Sequence, residues 1–356
     1  MTRPSRAVID LKALRHNYRH MRSMHGGRAL AVIKANAYGH GALRCAQALS
    51  ELADGFAVAF AAEACELRAG GIQVPILLLE GCFDTDELQH AAEQQFWIVV
   101  HQESQLQNIE QTALLPKSLH VWLKIDTGMH RSGFEPPQVA QAYARLSACA
   151  TVASITFMTH FARADEPEQQ ATAKQIKVFN SATAGLAGER SLSNSGAILG
   201  WPDAHQQWAR PGIVLYGVDP MPTHDHGLIP VMTLESQVFA IRMIAPGESL
   251  GYGGTFTAER HTRVGLVAIG YADGYPRSAP TGTPIAVDGR LTRTIGRVSM
   301  DMLTIDLTDL PGIEIGASVQ CWGPQIDVNR VAQGVGTISY ELLCNVKRVP
   351  RIYIGD

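Results

Sequence analysis

Lys34 closes a short apolar run, Ala29–Lys34, and is followed at once by Asn36, Tyr38, Gly39 and Gly41. A lysine ending an otherwise apolar strand is partly stripped of water, which disfavours its charged form and leaves a nucleophilic amine. Such an amine condenses with an aldehyde. Taken alone, the commoner outcome is a lysine that snorkels from the strand end to solvent. Further reactive side chains stand in comparable places. Lys124 and Arg131 bracket Ile-Asp-Thr-Gly-Met-His, His160 ends the run Ser154–His160, and Arg210 opens Arg-Pro-Gly-Ile. Tyr252 lies in Gly-Tyr-Gly-Gly. Singly, His160 reads as a strand cap and Tyr252 as an amphipathic residue in a glycine turn.

Their company changes that balance. Val-Ile-Lys-Ala-Asn-Ala-Tyr-Gly-His-Gly at 32–41 resembles the cofactor-lysine signature of the alanine racemases, a family of fold-type III pyridoxal-phosphate enzymes. Matches to the same family follow in order: Leu-Lys-Ile-Asp-Thr-Gly-Met-His-Arg at 123–131, Thr-His-Phe at 159–161, Ser-Asn-Ser at 193–195 and Arg-Pro-Gly-Ile at 210–213. Gly-Tyr-Gly-Gly at 251–254, Gly-Tyr-Ala-Asp-Gly-Tyr-Pro-Arg at 270–277 and Val-Ser-Met-Asp at 298–301 complete the set. Ser299 stands where many members carry cysteine.

The resemblance implies pyridoxal 5'-phosphate on Lys34 and interconversion of L-alanine and D-alanine, either to supply peptidoglycan or to feed alanine catabolism. It assigns the cofactor phosphate to Tyr38, Asn194 with Ser195, the backbone N–H groups of Gly212 and Ile213, and Tyr340. His160 would lie beside the cofactor ring. Arg210 would face the pyridine nitrogen, and an arginine that keeps its own proton leaves that nitrogen largely unprotonated. The ring is then a weaker electron sink, which favours return of a proton to Cα. Lys34 and Tyr252 would serve opposite faces of a flat carbanion, Tyr252 coming from the second subunit of a head-to-tail homodimer. A phenol needs help to act as a base near neutrality, and a hydrogen-bond chain through His160 and Arg210 is expected to supply it. Arg131 and the Met300 backbone would bind the substrate carboxylate, and Lys124 matches a position that some members carry carbamylated. Such a carbamate would turn an expensive buried cation into an anion able to orient Arg131. Two alternatives fit less well. Same-fold decarboxylases carry His-x-Gly-Ser and Cys-Asp-x-x-Asp, whereas 159–164 reads Thr-His-Phe-Ala-Arg-Ala. Non-enzymatic pyridoxal-phosphate-binding proteins lack a second domain.

The elements that must position these groups are legible as eight apolar runs: Ala29–Lys34, Phe56–Phe60, Pro75–Glu80, Phe96–Val100, Leu119–Asp126, Ser154–His160, Ser191–Asn194 and Ile213–Tyr216. Several are apolar on both faces, as parallel strands buried between two layers are. Amphipathic stretches such as Ala61–Ala69 and Glu168–Ala187 lie between them. Eight strands with helical crossovers predict an α/β fold, a (β/α)8 TIM barrel over residues 1–230. From residue 231 to 356 alternating residues broken by Pro-Gly, Ala-Asp-Gly and Val-Asp-Gly predict a β-rich domain with one short helix at Ser339–Asn345. Met221–Leu228 reads as a surface loop, its His224 and His226 more simply solvated than metal-bound, so no metal is expected.

Composition narrows the partners. Thirty basic and 33 acidic residues are mixed along the 356, giving a formal charge of -3 and no basic tract for nucleic acid or an anionic membrane. The substrate is therefore expected to be small. Six cysteines show no Cys-x-x-Cys spacing and read as small hydrophobes, neither disulfide-bonded nor zinc-binding. The absence of an apolar leader and of any run near the ~20 residues of a membrane span predicts a cytoplasmic protein.

Overall fold

The computed structural model describes residues 3–221 and 225–356. Strand β1 (Arg6–Asp10) leads directly into a helix, Leu11–His25. Asp10 caps that helix by accepting the Lys12 and Ala13 N–H groups at 2.8 and 3.0 Å, and Gly26, at φ +78°, ends it. Eight parallel strands follow: β2 (Arg28–Val32), β3 (Gly55–Val58), β4 (Ile76–Leu78), β5 (Trp97–Val100), β6 (Leu119–Lys124), β7 (Val152–Met158), β8 (Glu189–Ser191) and β9 (Trp208–Ala209). Their order, β8-β7-β6-β5-β4-β3-β2-β9, brings the first barrel strand beside the last. Across the remaining seam the Arg210 N–H donates to the Ser193 carbonyl (2.9 Å) and Ser191 Oγ to the Trp208 carbonyl (3.0 Å). β3 and β4 are buried at every residue, which explains why they read as unbroken apolar runs.

One expected strand is absent. Ile213–Tyr216 is a buried 3-10 turn, and the eighth strand is the two-residue β9 just before it. A short apolar run buried on all sides looks alike in either conformation. The helix expected at Ala61–Ala69 is present with those bounds, and the one expected over 168–187 spans Ala171–Ala182.

The second domain is built on β10 (Met232–Ile244), which pairs antiparallel with Thr262–Val267 and Ser318–Trp322. Residues 6–10, expected with the barrel, belong instead to this sheet. β1 lies antiparallel to β10 (Ala7 opposite Leu234) and parallel to the final strand Arg351–Ile354 (Ala7 opposite Arg351). Two helices, Val328–Val335 and Ser339–Cys344, pack near the barrel mouth; the second was expected and the first was not. His224 lies outside the described residues, and His226 Nδ1 is 2.7 Å from an Asp219 carboxylate oxygen. No helix among the described residues is long and apolar enough to cross a membrane.

Candidate active site

The C-terminal ends of the barrel strands open into a cavity of about 540 Å³. Lys34 enters it two residues after β2, Lys124 as the last residue of β6, and His160 two residues after β7. Asn194 and Ser195 follow β8, while Arg210, Gly212 and Ile213 follow β9. Arg131 reaches in from the loop after β6, and Tyr340 from the second domain's Ser339–Cys344 helix. This convergence of strand ends is where barrels place their chemistry.

Lys34 is set by an uncommon backbone. Ala35, Asn36, Ala37 and Tyr38 all have φ between +51° and +54°, so the chain makes a left-handed turn immediately after the lysine. Left-handed helix costs L-residues roughly 1–2 kcal/mol each, so this turn persists only because its surroundings hold it. The Ala37 N–H bonds the Ile33 carbonyl (2.8 Å), Gly39 N–H bonds Ala35 (3.1 Å), and the Asn36 side chain accepts from Ala42 N–H (2.8 Å). The turn swings Tyr38 back toward the barrel axis, where its ring lies 4.8 Å from Tyr216 and 5.9 Å from Tyr340.

Hydroxyls and backbone donors gather around Tyr38. Ser195 begins the helix Ser195–Gly200, its Oγ accepting the Gly212 N–H at 2.9 Å. Ile213 opens the 3-10 turn, and a first-turn N–H has no acceptor within its own turn. A Cβ on Gly212 would stand 2.7 Å from Tyr38 Oη, so the close approach of strand-end backbone and phenol requires glycine there. Such a cradle of neutral donors suits a phosphate. Burial pushes the Tyr340 phenol up to about 12 and Tyr38 higher still, so both remain donors at neutral pH.

The opposite side is cationic. Lys34, Lys124, Arg131 and Arg210 share the cavity with two carboxylates, Glu80 and Asp165. Arg210 is buried, which lowers it to about 10, still protonated at neutrality. Its Nη1 donates to the Ser191 carbonyl (2.8 Å) and Ser191 Oγ (2.5 Å), its Nη2 to the Thr159 carbonyl (2.6 Å). None of these bonds uses Nε or the His160 ring. Burial, then the charges of Arg210, Arg131, Lys124 and Lys34, hold His160 well below its ordinary value, so it is a neutral imidazole. Burial, then Arg131, brings Lys124 down to about 8, opposed by Glu80, and its Nζ donates to Ser132 Oγ at 2.6 Å. Glu80 and Asp165 were not anticipated. Glu80 was readable as the polar last residue of the run Pro75–Glu80; Asp165 lies in a loop with no such signal.

Residues 9–220 match the model of the alanine racemase N-terminal domain, and residues 231–353 that of the C-terminal domain. The chain belongs to the alanine racemase family. It is 62% identical to an alanine racemase of Azoarcus sp. (strain BH72), covering 99% of this chain and all of the relative. It is 56% identical to a catabolic alanine racemase of Pseudomonas putida, again over 99% of this chain and all of the relative. Among solved structures, the biosynthetic alanine racemase of Pseudomonas aeruginosa superposes with a TM-score of 0.96 at 46% identity, covering 99% of this chain and all of that one.

Two of the expected racemase site residues stand apart from the cavity. Tyr252 is 68% exposed in a turn between Gly251 and Gly253, both at φ +73°, and Met300 is 53% exposed. Both belong to the second domain. The Met300 carbonyl accepts the Ala272 N–H (3.0 Å), which ties its loop to the Gly-Tyr-Ala-Asp-Gly segment.

Proposed function

We propose that this protein is a homodimeric alanine racemase that interconverts L-alanine and D-alanine with pyridoxal 5'-phosphate held on Lys34. The observation that carries the reading is the cavity itself, where an amine at a barrel strand end faces a neutral phosphate cradle across fixed cations. Tyr38, Ser195, Tyr340 and the Ile213 N–H hold the phosphate, with Gly212 N–H steadying Ser195 Oγ (2.9 Å) and Asn194 fixing Ser195 as the N-cap of its helix (Ala197 N–H to Asn194, 3.1 Å). When bound, the cofactor withdraws electrons from the substrate's Cα and so acidifies its proton. Arg210, charged and pinned by carbonyls, would keep a bound cofactor's pyridine nitrogen unprotonated and so make it a weaker electron sink.

Lys34 moves the proton on one face of Cα, and Tyr252 of the partner subunit moves it on the other. Met300 of the partner subunit and this chain's Arg131 take the substrate carboxylate. Neutral His160 lies in the cavity without adding a fifth cation to it. Lys124 carries a carbamate that pairs with Arg131 and relieves the crowding of positive charge. The second domain, exposing Tyr252 and Met300 together, argues for a site completed across a dimer.

Two measurements test the assignment. Lys34→Ala abolishes the visible absorption that the cofactor acquires on the lysine; a retained band removes the central residue from the scheme. Circular dichroism on a panel of L-amino acids shows alanine racemised faster than serine. A preference for lysine or arginine would show the substrate wrong.

A further inference from the structure

The left-handed turn after Lys34 is braced from two directions, and neither brace touches the cavity. The first is His40, fully buried just beyond the turn. Its Nδ1 lies 2.9 Å from the Ala37 carbonyl and 3.1 Å from the Tyr38 carbonyl. Both partners are acceptors, so Nδ1 carries the proton. Nε2 is buried with no partner among the described residues, and it is therefore the bare nitrogen. The ring stacks on Tyr216 at 4.4 Å, and the Tyr216 hydroxyl donates to the Val32 carbonyl (2.9 Å) at the end of β2. One side chain thus links the two carbonyls that close the turn to the strand that delivers the lysine. Burial lowers His40 to about 4, so this neutral donor form persists across the physiological range.

The second brace comes from the chain's last strand, Arg351–Ile354. Arg351 Nε donates to the Gly39 carbonyl (2.6 Å) and its Nη2 to the Val346 carbonyl (3.0 Å). The Tyr353 hydroxyl donates to the His40 carbonyl at 3.2 Å. The fit is close. A Cβ on Gly39 would stand 2.2 Å from the Leu343 carbonyl oxygen, and one on Gly41 would stand 2.0 Å from the Tyr353 hydroxyl. Without these donors the turn keeps only its local bonds and the Glu63 carboxylate on Ala35 N–H (2.7 Å), and its four left-handed residues are expected to relax toward the right-handed region with Tyr38.

We propose that His40 and Arg351 are positioning residues for the cofactor, holding the Ala35–Tyr38 turn left-handed and so fixing the Tyr38 hydroxyl beside Gly212 at the phosphate end of the cavity. The proposal rests on the pyridoxal-phosphate reading above and adds to it two groups outside the cofactor's reach.

The brace acts on the phosphate end, so it predicts a change in discrimination and not a uniform loss. Cofactor-stripped parent, His40→Asn, His40→Gln and Arg351→Met proteins are titrated with pyridoxal phosphate and, separately, with unphosphorylated pyridoxal, following visible absorption. Asparagine places an amide N–H close to where Nδ1 stands and retains the parent's preference for the phosphorylated form. Glutamine carries its donor past the two carbonyls, and the preference falls by about tenfold or more while pyridoxal binding changes little. Arg351→Met lowers the preference in the same way and serves as the second probe where the glutamine variant does not fold. A parent-like preference in the glutamine variant, or in Arg351→Met, overturns the brace. Equal weakening toward both ligands also overturns it, since a loss of general stability would do the same. A parent that binds pyridoxal phosphate no better than pyridoxal overturns the cofactor reading together with the brace.

Discussion

Lys124 shows how much of this site depends on removing charge. An amine lowered to about 8 is neutral in roughly a tenth of molecules at pH 7 and in most of them at pH 9. Carbon dioxide reacts with the neutral amine, so carbamate on Lys124 should grow as pH rises through that interval. Protein equilibrated with 13C-bicarbonate is expected to show a carbamate carbon resonance that strengthens from pH 7 to pH 9 and is absent in Lys124→Met. A silent spectrum at pH 9 would count against the modification. Lys124, Arg131 and Arg210 were legible because each sits at or just past a barrel strand and within a family motif. What the sequence could not convey is their mutual repulsion, since four cations in one cavity is a fact of three-dimensional convergence. Burial first, and then the charges of Arg210, Arg131, Lys124 and Lys34, keep His160 neutral.

At the scale of elements, the proposed phosphate cradle depends on how closely one backbone approaches one ring. Gly212→Ala puts a methyl group 2.7 Å from Tyr38 Oη, and Tyr38 is enclosed by Tyr216 and Tyr340. The ring must move or the loop must yield, at a cost of about 1–3 kcal/mol as in other overpacked sites. Pyridoxal phosphate affinity is expected to fall about tenfold or more, measured by titrating the cofactor-stripped protein, with the circular dichroism of the barrel preserved. Unaltered affinity would show that Gly212 is not part of the phosphate site. The strands were legible wherever burial on both faces left an apolar run of three or more residues. Trp208–Ala209 escaped because two residues carry no period, and Ile213–Tyr216 took its place because a buried 3-10 turn is as apolar as a strand. The left-handed turn after Lys34 was not anticipated, since three of its four residues are alanine or tyrosine. Besides its local bonds and His40, the turn meets Arg351 and Tyr353, more than 300 residues further along the chain. Pairing partners so distant in sequence leave no local pattern, and β1 passed for part of the barrel for the same reason: its partners lie more than 200 residues away.

At the scale of the whole molecule, one chain holds the cavity that Lys34 enters and, apart from it, the exposed Tyr252 proposed as the second base. Tyr252 and Met300 are exposed, and among the described residues the cavity is lined by no tyrosine other than Tyr38 and Tyr340. If each site takes Lys34 from one subunit and Tyr252 from the other, a Lys34→Ala homodimer and a Tyr252→Phe homodimer are both deficient. In a mixed dimer, one site carries both substitutions and the other carries neither. Random exchange makes half of the dimers mixed, each with one intact site of two, so activity should recover to about a quarter of the parent's. Recovery should also track the exchange rate, rising after brief partial denaturation and staying flat when the two preparations are merely combined. A site completed within one chain gives the opposite result, because no pairing of the two variants then restores Lys34 and Tyr252 to the same cavity. Verified subunit exchange without recovered activity would therefore place the second proton-transfer group somewhere other than the partner's Tyr252.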